Sequence, residues 1–404
     1  MTEQLPLGVT VADLPLEGVR VVALEQAVAA PLATRHLADL GAEVVKIERL
    51  GEGDFARAYD ASVNGIASHF VWLNRGKESI ALDLKSEEGR ELVLRLLDDA
   101  DVFVQNLAPG AADRLGLDPE TLTARNPRLV VVGLTGYGTS GPHRDRKAYD
   151  MLVQAESGLV SITGTARDAA KTGIPTADIA SGMYILSSVL SALFRRERTG
   201  RGAVIDVSMF DATVEWLGHP MYVQLYEGRQ IPRMGLSHAA IAPYDAYPTI
   251  DGQVLIGIQN DRGWQLLCHE VFADAALAQD PRFVTNVDRV AHRVELDSAV
   301  AERSRRMTTA ELERALGATG VAAAQVNDMA GLIEHPQLHE RDRWREVGTE
   351  AGPVRALLPP MNFRDVELPM GDVPGLGEHT TGLLARLGLT PEEIAMLREH
   401  RTVQ

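Results

Sequence analysis

An aspartate followed by three small residues opens an otherwise apolar run, Ile174-Pro175-Thr176-Ala177-Asp178-Ile179-Ala180-Ser181-Gly182. Asp is a favoured helix N-cap, and Ile179, Met183, Leu186, Leu190 and Leu193 recur behind it at helical spacing. On the residues alone the cap is the simpler role. A carboxylate near a helix N-terminus is also stabilised as the anion. Ala180, Ser181 and Gly182 leave room for a second chain segment or a ligand to come close. Capping and chemistry are compatible at this position.

A second group of residues carries positive charge. Arg49, Arg75, Lys77, Lys85, Arg114, Arg146 and Lys147 each flank a strand-like run. Singly, each reads as a solvated surface residue. Together they stand where an α/β sheet binds ligands, at the carboxyl ends of strands, and they suit a phosphate-bearing ligand. The chain's net charge of −16 argues against nucleic acid or an anionic membrane surface as partner. A small anion would need such a local basic cleft.

Other signatures lead away from other chemistries. GYGTSG (136–141) matches the glycine pattern of dinucleotide-binding loops, but Pro142, His143 and Arg144 follow it instead of an apolar helix start. The first strand-to-helix junction, LEQAVAAPLATRH, contains no glycine, so an NAD-linked oxidoreductase of Rossmann type is a poor fit. No HExxH spacing and no G-x-S-x-G elbow occur, which disfavours a metal site and a serine hydrolase.

The elements that must position these residues read as a repeating β–α pattern. VRVVALE (19–25), EVVKIER (43–49), SIALDL (79–84), DVFVQNL (101–107), LVVVGLTGYG (129–138) and AVIDVSM (203–209) are strand-like. APLATRHLADLG (30–41), SEEGRELVLRLLDDA (86–100) and PETLTARN (119–126) are helical, with Ser86 as a helix cap. This is an α/β fold, a Rossmann-like large domain with an open parallel sheet. The pattern changes near residue 229. Two β-like runs lie within HAAIAPYDAYPTIDGQVLIGIQ (238–259), and GWQLLCHEVF (263–272) and residues 294–320 are helical. Residues 229–334 therefore form a smaller α+β domain, and 1–228, completed by 335–404, the large one.

The 404 residues, 45% of them apolar, suffice for two domains with sizeable cores. One cysteine, Cys268, excludes an internal disulfide and fits a reducing compartment. The N-terminal residues lack a signal-peptide pattern, and the apolar stretch from Tyr184 to Phe194 is too short to span a bilayer. These features imply a cytoplasmic protein with no membrane partner.

Eight colinear motifs then carry a resemblance: LADLGAEVVKIER, LNRGKESIALDLKSEEG, DVFVQNLAPGAADRLG, LTGYGTSGP, YDMLVQAESGLVSITG, ADIASGMY, RTGRGAVIDVSMFDA and LGEHT. In this order, over nearly the whole chain, they resemble the class III CoA-transferases, the family that includes formyl-CoA:oxalate and carnitine CoA-transferases and the α-methylacyl-CoA racemases. The resemblance implies an interlocked homodimer, acyl-CoA and a carboxylic acid as substrates, and no permanently bound cofactor or metal. By motif position it implies CoA contacts at Val28, Ala29, Arg49, Leu82 to Lys85, Asn106, Leu107, Ala108, Arg114, Lys147, Tyr149 and Asp150. It makes Asp178 the nucleophile, which attacks the thioester to give first an aspartyl anhydride and then an aspartyl-CoA thioester.

Two departures bear on the reaction. The racemases place a histidine base where this chain has Tyr149, which favours transfer over racemisation. The closing glycine run of formyl-CoA:oxalate CoA-transferase is replaced by IGIQNDRGW (256–264). The resemblance is strongest to members that act on C4–C5 dicarboxylates, and His36, Arg233, His238 and Gln259 are its candidate acyl-carboxylate contacts.

Overall fold

A computed structural model describes residues 14–404. Residues 1–13, on which the expectation of no signal peptide rests, lie outside the described residues. The contacts divide the chain into two compact units. One comprises 14–158, Thr172–His219 and Asp342–Gln404, and the other Leu159–Lys171 and Pro220–Arg341. The smaller unit thus starts nine residues before the position expected from composition, ends seven after it, and takes in the short segment Leu159–Lys171.

In the first unit, β1 (Arg20–Leu24), β2 (Glu43–Glu48), β3 (Lys77–Ala81), β4 (Val102–Gln105), β5 (Val130–Thr135) and β6 (Ala203–Ser208) form one sheet in the order β3-β2-β1-β4-β5-β6. Every pairing is parallel. Such a sheet needs cover on both faces, so its strands are rich in Val and Ile throughout. Helices α1 (Ala29–Asp39) and α4 (Thr176–Thr199) cover one face, burying Leu37, Ile185 and Val189 against Val102, Val130 and Val132. The opposite face packs under α2 (Glu87–Asp98) and the C-terminal helices Thr380–Arg386 and Pro391–Glu399, with Phe103, Leu92, Leu384 and Ile394 in its core. The helix α3 (Asp150–Glu156) lies between β5 and α4 in the chain.

Two expectations change. Strand β3 begins at Lys77 rather than Ser79, and Arg75 and Lys77 stand at its amino end, not at the ligand edge where their charge had grouped them. Both are buried: Arg75 pairs with Asp39 at 2.8 Å and Lys77 with Glu25 at 2.7 Å. Helix α4 has 24 residues, far longer than its apolar stretch Tyr184 to Phe194 suggested, and by length and composition alone it could cross a membrane. Half of its most apolar window is buried within the molecule, where its residues join the core against α1 and the sheet.

The second unit holds an antiparallel sheet, β7 (Tyr244–Pro248), β8 (Gln253–Gly257) and β9 (Ala322–Gln325), in that order. The helical run 294–320 is two helices, Arg293–Ser304 and Thr309–Thr319, the second opened by a capping box at Thr308 and Glu311. Their Leu296, Val300, Leu312 and Leu316 pack with Trp264 and Ile256 into this unit's own core.

Candidate active site

The strand order turns at β1, whose two neighbours β2 and β4 lead away in opposite directions. In open α/β sheets such a switch point opens a crevice at the carboxyl ends of the strands. The loop after β1, Glu25 to Val28, and the residues after β4, Asn106 to Ala108, border it. They are tied across the crevice by a reciprocal pair. Gln26 N–H donates to Asn106 Oδ1 at 2.9 Å, and Asn106 Nδ2 donates to the Gln26 carbonyl at 2.8 Å. Among the expected CoA contacts, Arg49 follows β2, Lys85 follows β3, Arg114 follows β4 and Lys147 follows β5, and all four are exposed. Each lies in the segment that leaves the carboxyl end of its strand. Leu107 and Ala108 line a cleft of about 340 Å³ that runs from the end of β4 along β5 and β6, with Gln105, Gly133, Thr135, Arg144 and Asp206 also in its walls. Leu82 has its side chain in the core, and Arg146 is engaged by Glu156 at 2.8 Å. The GYGTSG loop leads to no adjoining helix; the next begins at Asp150.

Asp178 lies in the first turn of α4, but it is not the cap. The helix begins at Thr176, and its N-cap position, Pro175, offers no side-chain bond. The cap comes from outside the helix. Asp150 Oδ1 accepts the Ala177 N–H at 2.8 Å and the Asp178 N–H at 3.3 Å, while its Oδ2 accepts from Gln154 Nε2 at 2.7 Å. Gln154, fully buried, in turn accepts the Thr172 N–H and hydroxyl, each at 3.1 Å. The Asp178 carboxylate itself has no hydrogen-bond or ion-pair partner among the described residues. Burial and then the Asp150 charge push its carboxyl up to about 7. The helix terminus that was expected to favour the anion is already occupied by Asp150.

Helix α4 comes very close to α1 at this turn. A Cβ on Gly182 would stand 2.6 Å from the Ala29 carbonyl oxygen and 3.2 Å from Leu32 Cβ, so only glycine fits. Ala27 and Ile179 pack on one small apolar cluster with Val28, Leu32 and Leu73. Val28, Ala29 and the Asp178 turn are therefore brought together, as their motifs implied. Tyr59 belongs to the same neighbourhood. Burial and the charges of Asp54, Asp178 and Tyr149 push its phenol up to about 12. Tyr149 is exposed at the N-terminus of α3.

Beneath the β1 loop lies a charged cluster that pattern reading missed. Lys46 Nζ donates to Asp54 Oδ2 at 2.9 Å and approaches Glu25 Oε1 at 3.4 Å, and Glu25 Oε2 accepts the Thr34 hydroxyl at 2.7 Å. Burial alone would raise the Glu25 carboxyl, but Lys77 and Lys46 outweigh it and hold it below its ordinary value. Burial likewise opposes the Lys46 charge, yet Glu25, Asp54 and Glu48 raise its ammonium above the usual range. The visible signal was Lys46 in the middle of the apolar strand EVVKIE, where a charge must find a partner.

The structure removes His36 from the candidate acyl-carboxylate contacts. It lies within α1, seven residues and about 10 Å of helix beyond Ala29. Its ring is buried, with Nε2 3.0 Å from Arg35 Nη2. Burial, Arg35 and Arg75 push its imidazole down to about 3, so it carries no charge at neutral pH. The other three belong to the second unit. Arg233 donates to the carbonyls of Thr165 and Ala166, His238 stacks on Tyr244 with ring centroids 5.4 Å apart, and Gln259 is exposed. No group of His, Cys, Asp or Glu suited to a metal ion occurs among the described residues.

Comparison with known proteins identifies the family. The sequence profile of CoA-transferase family III matches residues 16–380. The chain is 36% identical to a succinate–glutarate CoA-transferase of Agrobacterium fabrum, over 92% of this chain and 96% of that one. It is 38% identical to an acetyl-CoA:oxalate CoA-transferase of Acetobacter aceti, over 81% and 85% of the two chains. A crystal structure of a CAIB/BAIF family protein from Brucella suis superposes with a TM-score of 0.83 at 36% identity, covering 92% of this chain and 99% of that one.

Proposed function

The chain belongs to CoA-transferase family III and is a CoA-transferase, and we propose that Asp178 carries the acyl exchange covalently. The observation that supports this most directly is a carboxylate without a partner, half-buried at the switch-point edge, whose carboxyl is pushed up to about 7. Raised basicity makes the ionised group a better nucleophile than an ordinary carboxylate, and no general base is needed. Asp178 attacks the thioester carbonyl of the donor, and CoA leaves as its thiolate, giving a mixed aspartyl anhydride. The thiolate then attacks the aspartyl carbonyl and expels the donor acid as its carboxylate, leaving an aspartyl-CoA thioester. The acceptor carboxylate attacks this thioester and the thiolate leaves. Returning to the acyl carbonyl of the new anhydride, the thiolate forms the product and restores Asp178. No net proton is taken up or released. Covalent catalysis of this kind divides one hard exchange into easier steps.

Arg49, Lys85, Arg114 and Lys147 bind the CoA phosphates in this reading, and Val28, Ala29 and Asn106 line the path from the nucleotide to Asp178. The substrates are an acyl-CoA and a carboxylic acid, with a C4–C5 dicarboxylate as acceptor. The relative named for succinate and glutarate supports that choice. The enzyme acts in the cytoplasm as an interlocked homodimer. Tyr149 supplies no imidazole base beside the site, which favours transfer over α-proton exchange.

The test is to trap the intermediate. With succinyl-CoA present, borohydride or hydroxylamine modifies wild-type enzyme within a peptide spanning Thr172 to Arg195, and mass spectrometry locates the change at Asp178. Asp178→Ala remains folded, binds CoA and loses transfer by several orders of magnitude. Rapid α-deuterium exchange without an acceptor acid, and no adduct at Asp178, would establish racemisation instead.

A further inference from the structure

The β1 loop contains a backbone conformation that its residue does not favour. Ala27 has φ +65°, the left-handed region, which is unfavourable for a residue with a side chain and persists only where the surroundings impose it. The imposing group is visible. Asp54 Oδ1 accepts the Ala27 N–H at 3.0 Å and the Ala56 N–H at 2.9 Å. Asp54 Oδ2 is held by Lys46 at 2.9 Å, and the Asp54 N–H donates to Glu48 Oε2 at 2.9 Å. Glu48 is itself fixed by a two-point contact from Arg57, both distances 2.8 Å, and by the Ser79 hydroxyl at 2.6 Å. Every polar atom of the Asp54 side chain is thus engaged, and the residue is 1% exposed.

What the clamp holds is the turn that meets Asp178. Ala27 and Ile179, the residue after Asp178, both pack against the same apolar cluster of Val28, Leu32 and Leu73. Two residues on, the Ala29 carbonyl oxygen sits against Gly182. A loop that relaxed out of the left-handed conformation would displace both contacts.

Resting on the reading of Asp178 as nucleophile, we propose that Asp54 is a positioning residue for transfer: through the Ala27 N–H it holds the β1–α1 turn in the conformation that sets Asp178 against the incoming thioester. Asp54 touches neither the substrate nor the reacting atoms. Its influence runs through one hydrogen bond and the left-handed residue that this bond stabilises. Asn106 performs the companion task on Gln26, so the two consecutive residues are pinned from β2's side and from β4's side of the switch point.

The experiment measures single-turnover adduct formation at Asp178 under saturating succinyl-CoA, together with Tm. Asp54→Ala forms the adduct at least tenfold more slowly than wild type. Asp54→Asn, which keeps an acceptor for the Ala27 N–H, falls less. The discriminating variant is Asp54→Ala combined with Ala27→Gly. Glycine adopts the left-handed conformation without the side-chain cost, so the double variant recovers at least threefold of the lost rate while its Tm stays at that of Asp54→Ala. A merely structural role for Asp54 would give no such recovery. Ala27→Val approaches the same conformation without touching the charges, since a branched side chain disfavours φ +65°. It slows adduct formation at least tenfold, and it decides the matter if Asp54→Ala does not fold. Wild-type rates in Ala27→Val, or no recovery in the double variant, overturn the proposal. A wild-type enzyme that forms no adduct overturns the reading of Asp178 instead.

Discussion

The carboxylates of Asp150 and Asp178 face the same helix terminus, but only Asp150 accepts its N–H groups. Asp178 is left with burial and a like charge, and both favour its neutral form. With Asp178 as the proposed nucleophile, attacking in its ionised form, the kcat/KM for acyl-CoA should rise with pH along a limb centred near 7. Asp150→Asn, which removes the second cause of the shift and leaves burial, should move that limb to lower pH without abolishing it. Stability follows the same proton with the opposite preference. Between the ordinary carboxylate range near 4 and about 7, the folded protein holds a proton that the unfolded chain has released, so this site's contribution is present at low pH and is lost as pH rises through 7. Asp178→Asn cannot lose it. The variant should be more stable than wild type at pH 8 by on the order of 2 kcal/mol, the linkage of about 1.4 kcal/mol per pKa unit being reduced by partial exposure. The difference should vanish near pH 4, and urea titrations at the two pH values measure it.

Helix α4 fits against α1 because position 182 has no side chain. A methyl there meets a backbone carbonyl at 2.6 Å, a group that cannot swing aside. Gly182→Ala should cost about 1–3 kcal/mol through overpacking, visible as a fall in Tm, and should lower kcat because the displaced turn carries Asp178. The sequence made this element legible in part. Its stripe of apolar residues and its small residues at 180–182 were plain, and the alternation of β and α runs announced the parallel sheet. The start of the helix was misread, because a capping aspartate supplied from Asp150, 28 residues earlier, leaves no local mark. Grouping by charge put Arg75 and Lys77 with the ligand-edge residues, although both stand at the amino end of β3, where buried carboxylates pair with them. The buried partners of Lys46 could not be read at all. They come from separate loops, at residues 25 and 54, that only the folded sheet brings together. The burial of His36 was equally illegible, because α1 is buried along its whole length and no apolar stripe in the sequence marks that.

Across the whole molecule, a net charge of −16 surrounds a small basic edge. A phosphate-bearing ligand must enter against that field, so the exposed Arg49 and Arg114 should matter more than isolated surface charges do. Arg49→Ala and Arg114→Ala should each raise the KM for acyl-CoA roughly tenfold, the worth of a charge-assisted bond of about 1.5–3 kcal/mol, while leaving the KM for the acid nearly unchanged. Initial rates with each substrate varied in turn distinguish the two. The sheet that presents these residues is finished by distant parts of the chain. Ser79 exchanges hydrogen bonds with His379, the hydroxyl of Thr380 accepts the Ala81 N–H, and the backbone of Leu82 bridges to Val403. During synthesis those partners emerge about 300 residues after β3 does, and the second unit is made in between. At ribosomal rates of about 5–20 residues per second, the β3 edge waits some 15–60 seconds with its final partners not yet translated. The second unit, whose core draws almost wholly on residues 242–321, can fold during that interval. The first gains the partners of Ser79, Ala81 and Leu82 only when the segment after 376 arrives, so a ribosome that stalls before that point holds the second unit complete and the β3 edge still unpaired.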